Sequence, residues 1–264
     1  MKQQMFFKKY TLVIYFGMVF GIEWILFFLL RELIPPMAAI LIGSWLPNLA
    51  GVLVTAAADG RAGLRTLFGK LLQWRVGLVW YLVSFLIAPL SILAAFGIQL
   101  LTGRALPEMT TLNMLPMMVL IALVTGATGE ELGWRGTALP RMQVRWNPLV
   151  SSLILGILWG LYHLPAFFIS GTPQSGVSIL NFMTMTLGLN LLISWIFNHT
   201  RGSLLSVMLV HFSFNFFGSA SGVYTAPEMM WWFAGCVWLV VIFVVVFDWK
   251  RFTIQHTIPE RFPL

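Results

Sequence analysis

The sequence predicts an all-α fold, a polytopic transmembrane helical bundle of about eight spans with an added interfacial amphipathic helix. Three observations carry that reading. Of the 264 residues, 59% are hydrophobic and only 9% charged, and the mean hydropathy is +0.86. Apolar runs repeatedly reach the roughly 20 residues that a helix needs to cross a bilayer. The basic residues gather in alternate connections between those runs, as cytoplasmic loops do.

Spans are expected near residues 10–31, 36–57, 78–102, 112–134, 148–168, 178–198, 203–219 and 230–248, all in a single membrane domain covering 1–264. The segment from Met1 to Lys9 is basic and precedes an apolar run, a pattern shared with signal peptides. The run from Tyr10 to Leu30 is too long for such a segment and no small-residue cleavage site follows, so it reads as a first span that stays. Glu23 inside it calls for a polar contact with a neighbouring helix. Pro35-Pro36 turns the chain into span two, because proline starts helices but does not continue them. Pro47 and Asn48 predict a kink in that span.

Asp59-Gly60-Arg61 is a turn signal. After it Leu64, Leu67, Phe68, Leu71 and Leu72 recur at helical spacing, with Arg61, Arg65, Lys70 and Arg75 around them. This predicts an amphipathic helix over about 61–75, lying in the interface with Trp74 as its anchor. Span three carries Pro89. Span four runs into the Glu130 segment and is expected to end at Pro140. Pro148 opens span five, and Ser170 to Gly176 forms a break on the far side. Asn181 and Asn190 in span six are expected to bond between helices. Span eight, Trp231 to Phe247, reads as lipid-facing apolar sequence stopped at Asp248-Trp249-Lys250-Arg251.

The net charge of +7 belongs to orientation rather than to nucleic acid. With the N-terminus inside, Lys2, Lys8, Lys9, Arg61, Arg65, Lys70, Arg75, Arg135, Arg141, Arg145, Arg201, Lys250, Arg251 and Arg261 are cytoplasmic, and only Arg31 and Arg104 fall opposite. That asymmetry places both termini in the cytoplasm of a multi-pass protein of the cell (inner or plasma) membrane. The single cysteine, Cys236, excludes an internal disulfide and a cysteine-based metal site.

Chemistry concentrates at Gly129-Glu130-Glu131-Leu132-Gly133-Trp134-Arg135. Ionisable groups at membrane depth are costly and mark function. On a helix Glu131 and Arg135 are four apart and can pair, whereas Glu130 points about 100° away. Two of the four histidines, His163 and His211, lie inside spans; His199 lies in a loop and His256 in the tail. His211 and Asn215 share a helix face, and Trp159 can pack beside His163. Glu130 suits a general base on water, with His163 holding that water and with His211 and Asn215 donating to an oxyanion. Zinc held by Glu130, His163 and His211 is the alternative hydrolase. A transporter or proton path is the competing reading of the same buried charges.

The pattern resembles the CAAX prenyl protease and bacteriocin-processing (CPBP, or Abi) family. That family is marked by a diglutamate with an arginine four residues after the second Glu, an aromatic four before a His, and a His four before an Asn. Here these are Glu130-Glu131-Leu132-Gly133-Trp134-Arg135, Trp159-Gly160-Leu161-Tyr162-His163 and His211-Phe212-Ser213-Phe214-Asn215, all within 129–215. The chain departs in carrying Trp159 where the family usually has Phe. The resemblance implies an eight-helix intramembrane endopeptidase whose site opens to the cytoplasmic side. It implies Glu130 as base, His163 as its assistant, His211 and Asn215 as oxyanion donors, and Glu131 with Arg135 as support. Its implied partners are membrane lipid and a peptide or protein substrate, which in some members is lipidated and in others belongs to peptide maturation or self-immunity. A non-catalytic immunity or scaffold protein that binds a peptide partner is the other member type.

Overall fold

The computed structural model describes residues 2–30 and 33–254. Arg31, His256 and Arg261 lie outside the described residues, as does the C-terminus. Among the described residues there are helices and turns and no strand. Seven helical stretches are long and apolar enough to cross a membrane, and the shorter apolar helix Leu204–Ala220 makes the eighth span.

Span one is α1 (Lys2–Leu30). Span two is broken: α2 (Pro36–Gly43) stops, residues 44–45 turn, and α3 (Leu46–Gly69) restarts with Pro47 in its first turn. A proline there costs nothing, because the first N–H groups of a helix lack intrahelical partners. At Gly60 (φ 61°, ψ −151°) the chain leaves helical geometry inside α3, a conformation that glycine adopts at no steric cost. The amphipathic stretch follows it and is helical to Leu72, short of the expected residue 75. Leu67 is buried and Leu64 and Leu71 are half-buried, while Arg61, Arg65 and Phe68 are exposed. Lys70 departs from the expected polar face. Its Nζ donates to Gly136 O (2.9 Å) and sits over the Phe197 ring.

α4 (Leu78–Leu101) contains Pro89, which has no N–H to offer the Phe85 carbonyl four residues back. Ser213 Oγ donates to that carbonyl at 2.7 Å. Span four is α5 (Leu115–Ala122), α6 (Thr128–Gly133) and α7 (Leu139–Gln143), joined by two π-helical turns, Leu123–Ala127 and Trp134–Ala138. The expected stop at Pro140 does not occur. The second π turn restarts the hydrogen-bond register, so Pro140 falls in the first turn of α7. Arg135, counted above with the cytoplasmic loops, is instead fully buried inside the bundle.

Three later helices begin at side-chain caps: Asn147 for α8 (Pro148–Tyr162), Ser178 for α9 (Ile179–His199) and Ser203 for α10 (Leu204–Ala220). Such caps satisfy N–H groups that helix starts leave open. Span eight is α11 (Pro227–Phe247), followed by the short α12 (Trp249–Thr253). α11 is not uniformly lipid-facing. Met230, Phe233, Val237, Val241 and Val244 form a buried stripe at helical spacing. Its end is fixed by Asp248, which accepts from Trp195 Nε1 (2.9 Å) and lies 2.9 Å from His199 Nε2.

Connections alternate between two ends of the bundle. At one end Gln73 donates to Thr200 O, Arg141 donates to Asp59, and Arg145 donates to Lys9 O. At the other, Thr110 N donates to Ala220 O and Arg104 pairs with Glu228. This is the alternation that a multi-pass membrane protein requires.

Candidate active site

α6 is placed by its glycines and by Asn48. A Cβ on Gly129 would lie 2.7 Å from Ser44 O, and one on Gly133 would overlap Pro47 O, so only glycine at this i, i+4 pair lets α6 lie against the turn between α2 and α3. Small residues permit such backbone approach in membranes. The π turns flanking α6 disturb the regular bond register, and Asn48 serves both polarities. Its Nδ2 donates to Thr128 O (2.7 Å) and its Oδ1 accepts from Gly133 N (2.9 Å). The two glutamates therefore sit on a short helix gripped at both ends. π-bulges of this kind are frequent at functional sites.

The two carboxylates point to separate networks. Glu130 Oε2 accepts from Trp159 Nε1 at 2.6 Å and from Trp134 Nε1 at 3.1 Å. With that oxygen fixed by two indoles, Oε1 is turned towards His163 Nε2, 3.8 Å away. This is too long for a direct hydrogen bond. A bent bridge through one oxygen at about 2.8 Å from each fits the gap. His163 Nδ1 lies 2.9 Å from Trp159 O; a carbonyl only accepts, so Nδ1 carries the hydrogen and the neutral ring presents a lone pair at Nε2.

Glu131 is fully buried. Its Oε1 accepts from Arg135 Nη1 (2.9 Å) and from His211 Nδ1 (2.6 Å). Arg135 Nη2 donates to Asn190 Oδ1 (2.7 Å), and Asn190 Nδ2 donates to Ser152 O (2.6 Å). The Arg135 guanidinium lies 4.3 Å from the centroid of the Trp159 ring, a cation–π placement. The expected Glu131–Arg135 pair is present, and it also orients His211. Asn190 bonds between helices as expected, with the buried arginine as its partner.

His211 Nε2 and Asn215 Nδ2 meet at Gly126, in the first π turn. A Cβ there would overlap His211 Nε2 and lie 2.7 Å from Asn215 Nδ2. The missing side chain leaves a notch that both nitrogens face. Glu130, His163, His211, Asn215 and Trp159 line one cavity of about 400 Å³, with a largely apolar wall from α2, α5 and α9. Three spans far apart in sequence thus bring every expected residue together.

Sequence reasoning missed three contributors. Trp134 is i+4 to Glu130, a spacing that signals contact on a helix. Asn48 was visible only as a polar residue in a span, and Gly126 had no signal. Glu23, expected to make a polar contact with a neighbouring helix, packs against α2 at Gly43, where a Cβ would lie 2.6 and 2.7 Å from its carboxylate oxygens, and its Oε2 is buried without a hydrogen-bond partner. It also lines the cavity, beside Tyr162, whose hydroxyl donates to Gly43 O (2.5 Å).

The zinc alternative requires three ligand atoms within about 2.0–2.2 Å of one ion. Among the described residues no three His, Cys, Asp or Glu side chains are grouped to hold a metal. The donor set as it stands does not fit zinc.

A family model described as type II CAAX prenyl endopeptidase, Rce1-like, matches residues 112–217. The chain is also similar to the CAAX prenyl protease 2 of Methanococcus maripaludis, 27% identical over 183 residues, which are 64% of this chain and 66% of that protein. The matched segment runs from the start of span four to Phe217 and contains all three motifs. Over that segment the chain is similar to the CAAX proteases. Its alignment with that relative spans about two thirds of the relative's length.

One expectation carried by the resemblance conflicts with the cavity. Every lining residue on each span lies between the Glu130–His211 level and the loops at the Arg104–Glu228 end; Pro173, Gln174 and Tyr224 belong to those loops. No lining residue comes from 46–77, 131–158 or 190–210. The cavity therefore opens away from the basic loops. An opening at the cytoplasmic side and a cytoplasmic location for the basic loops cannot both hold.

Proposed function

We propose that this protein is an intramembrane endopeptidase that hydrolyses a peptide bond of a membrane-associated peptide or protein, using a water activated by Glu130. The observation that carries the reading is the division of labour between the two glutamates. Glu130 has one oxygen fixed by indoles and the other open to the cavity, while Glu131 is consumed by Arg135 and His211.

In this mechanism a water donates one hydrogen to Glu130 Oε1 and the other to His163 Nε2, leaving an oxygen lone pair for the scissile carbonyl carbon. Glu130 takes the proton as the new C–O bond forms. The negative charge moves onto the carbonyl oxygen, which enters the notch at Gly126 and receives Asn215 Nδ2–H. His211 bonds Glu131 through Nδ1, so its Nε2 donates only in the form that carries hydrogen on both ring nitrogens. Collapse breaks the C–N bond, and Glu130 returns its proton to the leaving amine. Donors aimed at a developing charge in a site with little water are worth more than in solution.

The basic end of the bundle is assigned to the cytoplasm and the protein to the cell membrane, with both termini inside. Substrates carrying a lipid anchor fit the family and the apolar cavity wall. The test is cleavage of a membrane-tethered peptide by purified protein, beside Glu130→Gln and with chelator added. Loss of the base lowers kcat by about 10²–10⁴-fold with substrate binding retained, and chelator changes nothing. Chelator-sensitive cleavage would replace the glutamate-activated water with the zinc reading. Equal turnover in wild type and Glu130→Gln would point instead to the non-catalytic scaffold.

A further inference from the structure

The cavity mouth and the charge asymmetry together set the side from which substrate arrives. Among the described residues, Lys8, Lys9, Arg61, Arg65, Arg141 and Arg145 are some of the basic groups at one end, and Lys250 and Arg251 follow α11 there. The opposite loops hold Arg104, paired with Glu228, and Glu108. Lys and Arg are retained on the cytoplasmic side of membrane proteins, so the end bearing Arg104 is extracytoplasmic. The cavity rises from Glu130 and His211 to Pro173, Gln174 and Tyr224 at that end.

Its rim also reaches the outside of the bundle. Met37 on α2 and Ile121 on α5 line it and are 43% and 37% exposed. No lysine or arginine lines the wall, which carries two carboxylates, Glu130 and Glu23. Glu23 is 4% exposed, with Oε2 buried and unpartnered. An apolar chain segment matches this lining, whereas an anionic chain terminus finds no lysine or arginine there.

We infer that the site is loaded from the extracytoplasmic leaflet, and that its occupant is an apolar segment of an exported, membrane-tethered peptide. This rests on the endopeptidase reading for the chemistry but not for the geometry of access. It reverses the cytoplasmic opening implied by the resemblance, because the charge pattern and the cavity leave no other arrangement.

The test uses full-length protein in intact cells, in a background where the buried Cys236 is replaced by alanine. Ser175→Cys reports the loop at the mouth and Arg65→Cys the basic end; both positions are exposed. A membrane-impermeant maleimide is expected to label Ser175→Cys in intact cells and Arg65→Cys only after permeabilisation. The reverse pattern overturns the proposal, whether or not the protein is active. Gln174→Cys, at the cavity wall, then tests the route. Its modification from outside is expected to lower cleavage of an exported tethered reporter at least tenfold, and a cytoplasmic version of the same reporter is expected to stay intact. Unimpeded cleavage after modification, or preference for the cytoplasmic reporter, overturns it. If wild type cuts neither reporter, the endopeptidase reading fails while the labelling pattern still decides the orientation.

Discussion

Adding one methyl group at Gly126 tests the oxyanion notch directly. In Gly126→Ala the new Cβ lies 2.7 Å from Asn215 Nδ2 and overlaps His211 Nε2. Carbon and nitrogen rest about 3.5–4.0 Å apart when not bonded, so the overlap with Asn215 is close to 1 Å. The His211 nitrogen cannot retreat freely. His211 is tied through Nδ1 to Glu131 at 2.6 Å, and Asn215 is one helical turn further along α10. The methyl therefore displaces the donors and fills the space meant for the oxyanion. Losing one such donor costs about 10²–10³ in kcat, and here both are affected, so kcat should fall at least 100-fold. The overpacking should cost about 1–3 kcal/mol of stability. Gly97→Ala is the matched control, since a Cβ at that position in α4 meets nothing within 4 Å. The assay is kcat for a tethered peptide, with thermal unfolding in detergent to show that both variants are folded. A folded Gly126→Ala protein turning over within threefold of wild type would refute the placement of the oxyanion.

Asn48→Ala removes the partner of both Thr128 O and Gly133 N; each orphaned buried group costs about 1–3 kcal/mol, so the unfolding temperature should drop sharply, and Asn48→Asp should recover only the bond from Gly133 N. Trp159→Phe restores the residue usual in the family and deletes the 2.6 Å bond to Glu130; a bond to a charged group is worth about 1.5–3 kcal/mol, so kcat/KM should fall roughly 10- to 100-fold. Trp134→Phe, which removes the longer 3.1 Å bond, should lose less, and the reverse order in steady-state kinetics would show that the indoles do not position Glu130. Ser213→Ala leaves the Phe85 carbonyl opposite Pro89 without a donor, and should lower stability by about 1–3 kcal/mol in the same unfolding assay.

The spans were legible because crossing a bilayer demands long apolar runs, and the site was legible because its charges stand out against them. Glu130, His163, His211 and Asn215 could be paired with chemistry before any coordinates, and Asn190 could be read as an interhelical bond. Backbone register was not legible. Pro140 looked like a stop and is not one, because a π turn upstream resets the helix, and nothing in the composition of residues 134–138 signals that turn. The break at residues 44–45 was similarly read as a kink. Gly126 was invisible because its part in the site is an absence of atoms. The side on which the cavity opens depends on how far each wall residue stands from the membrane centre, which needs all eight spans in place at once.

The pairing of Glu131 with Arg135 bears on how the chain enters the membrane. An arginine at the centre of a helix costs roughly 2.5–3.5 kcal/mol to insert, and span four also carries two glutamates. Because Glu131 and Arg135 lie one turn apart on the same span, they can neutralise each other as soon as that helix forms, before any later span has been synthesised. Asn190 and His211 lie 55 and 80 residues further on in their bonds to that pair, and reach it only when spans six and seven arrive. Biogenesis therefore passes through a stage in which the diglutamate helix is already inserted with Glu131 and Arg135 paired, yet His211 and Asn215 have not been made. The nascent chain lacks part of the candidate site until the last quarter of its synthesis, when His211 and Asn215 are added.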